Sequence, residues 1–166
     1  MTNTTTPNPR GPESAGVSAV LAAVMATIAF FALAVFGLGA LSVATDRDII
    51  DVPGLGQIPG VSGMVMAVIV FALSLWATVR RGHASFGSAP VIALLTALVH
   101  VVTVWIAVLV ATSDVVVATA VAGDLVRGGA SLVLLAAAAV AAWGGIALRR
   151  TRSARPRWPW ERDEGE

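Results

Sequence analysis

Of the 166 residues, 57% are hydrophobic and 13% charged, where a soluble domain carries about 25% charged residues. Together with a mean hydropathy of +0.83, this excludes an ordinary soluble domain, and the absence of cysteine excludes disulfides, thiol chemistry, iron–sulfur ligation and Cys-based zinc sites. The formal net charge of +1 says less than its distribution, because all eleven basic residues are arginine and they cluster.

Residues 1–16, MTNTTTPNPRGPESAG, cannot bury enough surface to offset the entropy of ordering and read as a disordered tail, with Ser14 a candidate helix cap. The first apolar run, residues 17–41, is long enough to cross a bilayer. Its hydroxyls, Ser18 and Thr27, can bond to a carbonyl one turn earlier. Ser42-Val43-Ala44 resembles a signal cleavage site, but the run exceeds the ~7–15 apolar residues of a secretory signal, and a retained anchor is expected. Between residues 42 and 60, Asp46, Asp48 and Asp51 stand among Pro53, Pro59 and three glycines, which predicts a turn-rich solvated loop. The central Gly and closing Glu of a calcium loop are missing.

A second run, residues 61–79, stops at Arg80-Arg81, and the connector RRGHASFGS offers Ser88 as a cap before Pro90 in the first turn of a third run, residues 90–111. Residues 115–123 are apolar but too short to cross, and Asp124 and Arg127 follow. This stretch reads either as a separate short helix or as the start of a long fourth span. The broken form is favoured because Gly123, Gly128 and Gly129 mark a bend. The fourth run, residues 129–148, ends at Arg149-Arg150 and passes into a basic tail, residues 149–166, with six arginines against four acids.

The expected fold is therefore all-α, a small polytopic protein with a four-helix transmembrane bundle over residues 17–148. An even number of spans gathers nine arginines (one in the N-terminal tail, two in the 80–81 connector, six in the C-terminal tail) on one side and leaves two, Arg47 and Arg127, on the other. Positive flanks favour the cytoplasm, so both termini are expected there, with the plasma membrane as location. Trp76 and Trp143 each precede an arginine cluster by about a turn, at headgroup depth. Anionic inner-leaflet lipids are expected partners of Arg149, Arg150, Arg152, Arg155 and Arg157, and nucleic acid is not.

His100 lies near the middle of the third run, where an imidazole must face protein or a water-filled cavity. Thr96 and Thr103 share its face. The ring is expected to donate to a hydroxyl or carbonyl as interhelical glue; a proton relay or substrate contact is the rival reading. His83 is expected in the inner connector, too distant to complete a metal or haem site, and no cofactor is predicted. Asp124 and Arg127, three apart, could pair with each other or with Asp114, and Asp124 could cap the fourth span. With His100 beneath them they would outline a polar path. Ser131 is placed about half a span from His100, which weakens an intramembrane Ser–His enzyme. The small residues Gly37, Gly39, Ala136–Ala139, Ala141, Ala142, Gly144 and Gly145 predict close helix packing, within the bundle or between copies. The chain thus reads as an accessory or structural membrane component, or alternatively as a small transporter or channel subunit. Small drug exporters place a Glu in their first span, and none stands here.

Overall fold

The structure is a computed structural model that describes residues 17–46, 56–81 and 85–150. Expectations for the N-terminal tail with Ser14, for Arg47, Asp48 and Asp51, for His83 and for the tail beyond Arg150 lie outside these residues. The chain forms five helices: α1 (Ala19–Thr45), α2 (Ile58–Val79), α3 (Ser88–Thr112), α4 (Val115–Arg127) and α5 (Ala130–Arg150). All but α4 have the length and apolarity to cross a membrane. Their outward faces present Leu73, Leu94, Leu98, Ile106 and Val140 exposed, a surface that hydrocarbon solvates and water does not. The protein is a multi-pass integral membrane protein.

The helix boundaries follow local chemistry. Ser18 begins α1, its Oγ accepting the Leu21 N–H at 3.1 Å. The helix continues four residues past the apolar run and stops where Asp46 turns left-handed at φ 50°, its N–H bonded to the Ser42 carbonyl. Ser88 is not the cap of α3. It is the first helical residue, and its hydroxyl donates to the Ser85 carbonyl at 2.6 Å. At the far end Ser113 is left-handed, at φ 56°, and Asp114 begins the next helix at once, its Oδ1 accepting the N–H groups of Val116 and Val117 at 2.8 and 3.2 Å. The 115–129 stretch therefore takes the broken form. Its bend is at Gly128–Gly129, where Gly129 has φ 89°, whereas Gly123 lies inside α4.

The four long helices pack as a ring in the order α1, α2, α3, α5; no Cα of α1 lies within 8 Å of one of α3, and α4 rests on α3 and α5. On α2 the buried residues recur at every fourth position, Pro59, Gly63, Ala67, Phe71, Leu75 and Val79, giving one narrow inward stripe. Phe71 stacks on Phe30 of α1, ring centroids 4.6 Å apart. On α5 the inward face is Ala137, Ala138, Ala141, Ala142 and Gly145, so dispersion between closely spaced backbones holds it. A Cβ built on Gly145 would stand 2.8 Å from the Ala26 Cβ. Around Gly144 and Gly39 there is nothing within 4 Å, so the predicted smooth faces divide into residues that make a seam and residues that do not.

Candidate functional site

His100 is the central residue of α3 and is 4% exposed. The hydroxyls expected beside it turn elsewhere: Thr96 Oγ1 donates to the Ile92 carbonyl at 2.8 Å and Thr103 Oγ1 to the Val99 carbonyl at 2.7 Å, each back along its own helix. The Cδ2–Nε2 edge of the ring packs over Gly63 of α2, where a Cβ would lie 3.1–3.2 Å from those two atoms. Nδ1 is buried and has no hydrogen-bond partner. The predicted donation to a hydroxyl or carbonyl is thus not made by that nitrogen.

Among the described residues, a second buried polar atom lacks a partner, Ser131 Oγ in the first turn of α5. Contacts between helices fix its depth. From the Phe30–Phe71 stack, seven residues forward on α1 and seven back on α2 reach Gly37 and Met64, which are level in antiparallel helices. Gly37 packs on Val133 of α5, and Gly63 on His100. Ser131, two residues from Val133, therefore lies within about one turn of the depth of His100. The half-span separation expected from sequence is corrected, because α5 starts deep in the bundle: Ala130 packs with Val104 and Val108, short of the C-terminal end of α3.

The polar residues of α4 are not brought to His100. Both Asp124 and Arg127 are exposed, near the end of α4, and Arg127 folds back over Gly123, its Nη2 3.5 Å from where a Cβ would be. Asp124 caps neither helix; its backbone carbonyl accepts the Gly128 N–H at 2.7 Å, and Asp114 is the cap. Between this surface and His100 lies an apolar layer of Val104 and Val108 against Ala118, Val121 and Leu125. The Trp105 Nε1–H donates to Thr119 Oγ1 at 3.3 Å and ties α4 to α3 across it. Among the described residues no group of three or more His, Asp or Glu could hold a metal ion.

At the opposite end the arginines are built into the fold. The Arg80 guanidinium sits 4.4 Å over the Trp76 ring, and that of Arg150 4.4 Å over Phe86, whose ring is 5.9 Å from Trp143. Arg149 donates from Nη1 to the Val17 carbonyl at 3.1 Å and from Nε to the Val79 carbonyl at 3.5 Å, joining the start of α1 to the end of α2. These contacts put the start of α1 and the ends of α2 and α5 together. Phe86 does the same for the start of α3.

Sequence reasoning missed three contributors: Gly63, Phe86 and the depth of Ser131. Gly63 carried a signal, a small residue four before Ala67 on an apolar run. Phe86 carried none, standing in a polar connector. No curated protein and no solved structure matches the chain. A family model described as a family of unknown function, DUF6121, matches residues 15–166, and the chain belongs to that family.

Proposed function

We propose that this DUF6121 member is an accessory component of the plasma membrane, acting through helix packing rather than chemistry, with both termini in the cytoplasm. The observation that carries the reading is the filled interior. Phe30, Phe71, Leu75, Leu134 and Ile146 point inward with no exposure, so a solute would meet carbon along the axis. The arginine distribution, nine against two across an even number of spans, supports the orientation. On this reading the arginine end and its tail, through Arg149, Arg150, Arg152, Arg155 and Arg157, lie on anionic inner-leaflet lipid. The bundle then offers its outer faces to another membrane protein or to a second copy.

Purification in mild detergent, with mass spectrometry of co-purifying chains, tests this. A stable complex with itself or another membrane protein is expected. Reporter fusions at either terminus should read cytoplasm, and a tag inserted after Asp51 should be reachable from outside.

A second reading, a small carrier or channel subunit, is favoured by one observation: two buried, unpartnered polar atoms, His100 Nδ1 and Ser131 Oγ, at similar depth on neighbouring helices. A buried polar atom without a partner is costly, and a water or a transferred proton would satisfy both. Asp124 and Arg127 would be its outer vestibule, reached by movement of α4. An isolated monomer that carries proton-coupled flux in liposomes, lost in His100→Ala, would replace the accessory reading with this one.

A further inference from the structure

On the lipid-facing side, α1 and α2 leave a groove between them in the half of the bundle that bears the arginines. Val20, Val24, Thr27, Ile28, Leu73 and Trp76 line it. Its one hydroxyl, Thr27 Oγ1, donates to the Ala23 carbonyl at 2.8 Å, so the walls present only hydrocarbon. The arginine end of the groove is different. Trp76 is both its last wall and the ring under the Arg80 guanidinium. Arg149 reaches the Val17 carbonyl, three residues before Val20, and the Val79 carbonyl, next to Arg80. The groove therefore runs from apolar walls to Trp76 and the Arg80 guanidinium over it, with Arg149 held at the same end of the bundle. The acids among the described residues, Asp46, Asp114 and Asp124, are all at the other end of the bundle.

We propose that this groove binds one anionic phospholipid, an acyl chain lying between α1 and α2 and the headgroup phosphate on Arg80, with Arg149 adding to the attraction. Stacking uses the face of the Arg80 guanidinium and leaves its rim of N–H donors for phosphate oxygens, a planar fork that lysine would not supply. A ring beneath also limits the rotamers that must be frozen on binding. The site is distinct from the proposed diffuse contact of the tail with acidic lipid. Neutralising Arg152, Arg155 and Arg157 tests the tail, and changing Arg80 tests the groove.

The experiment is native mass spectrometry of the full chain in mild detergent, titrated with phosphatidylglycerol or with phosphatidylcholine carrying the same chains. One retained phosphatidylglycerol per chain is expected, in preference to phosphatidylcholine. Arg80→Gln should lower its retention about fivefold, the effect of one surface cation, while Arg81→Gln lowers it less. Ala72→Leu, which fills the groove, should lower retention of both lipids. Equal retention of the two lipids, or equal effects of Arg80→Gln and Arg81→Gln, would mean unspecific attraction and overturn the site. So would disulfide-linked dimers of Leu73→Cys in membranes, since the chain has no other cysteine and the groove would then be an interface between copies.

Discussion

Gly144 and Gly145 are neighbours on α5, yet alanine at the two positions is expected to change stability in opposite directions. A Cβ at Gly145 would meet the Ala26 Cβ at 2.8 Å, the Leu75 Cδ2 at 3.1 Å and the Ala22 carbonyl oxygen at 3.6 Å. Leu75 can rotate, but the Ala26 Cβ moves only with its backbone. Relief to the ~3.5–4.0 Å of a good carbon contact needs α1 and α5 to part by roughly 0.7–1.2 Å, which forfeits a quarter to a half of the dispersion along the seam. Overpacking of this kind costs about 1–3 kcal/mol. Alanine returns up to ~1 kcal/mol through its higher helix propensity, at both positions equally. At Gly144, with nothing within 4 Å, only that return operates. The difference between the two variants therefore isolates the steric cost, about 1–3 kcal/mol in favour of Gly144→Ala. Unfolding in mixed micelles by titration with a denaturing detergent, followed by circular dichroism, measures it, and Ala26→Gly combined with Gly145→Ala should recover most of the loss. Equal stability of the two single variants, or a double variant no better than Gly145→Ala, would refute the close approach of α1 and α5.

His100→Leu removes an unpartnered nitrogen while keeping bulk over Gly63, so stability is expected to hold or rise by up to ~1 kcal/mol in the same titration; a clear fall would show that Nδ1 has a partner such as a bound water. Asp114→Ala deletes the cap of α4, with an expected cost of about 0.5–2 kcal/mol felt locally. Hydrogen exchange at Val116 and Val117 should quicken while the core of α1 stays protected. Arg149→Gln should loosen the contact with Val17 and Val79 and quicken exchange at the first turn of α1. Because Arg149 is partly exposed, its global effect should be ~1 kcal/mol or less, below that of Gly145→Ala.

The spans were legible because each is a long apolar run closed by charge or by a Gly/Pro turn, a pattern that needs no tertiary information. The end of α1 was not, because the chain stops the helix with a left-handed Asp46 rather than a glycine. Ser113 and Asp114 likewise divide α3 from α4 within two residues, by a backbone conformation that composition does not announce. At the site, the burial of His100 followed from its place in an apolar run, since an imidazole there has to turn inward. Its neighbours did not follow. Depth across a bundle depends on where each helix begins, and α4 delays the start of α5 enough to bring Ser131 within about a turn of the depth of His100. Helical spacing puts Thr96 and Thr103 beside the ring but cannot say that both hydroxyls go to their own backbone. Arg149 looked like one cation of a lipid-facing tail, and only the folded chain reveals that two of its nitrogens donate to backbone carbonyls.

Because α5 closes the ring between α1 and α3 on the side away from α2, the order of synthesis has a consequence for biogenesis. While the first three spans are in the bilayer and the last is still on the ribosome, they form an open row whose alanine-lined side borders acyl chains. The twenty-one residues of α5 close that row. Arg149 then reaches a carbonyl 132 positions earlier, so the latch that joins the start of the first span to the end of the last becomes available only once all four spans have been made.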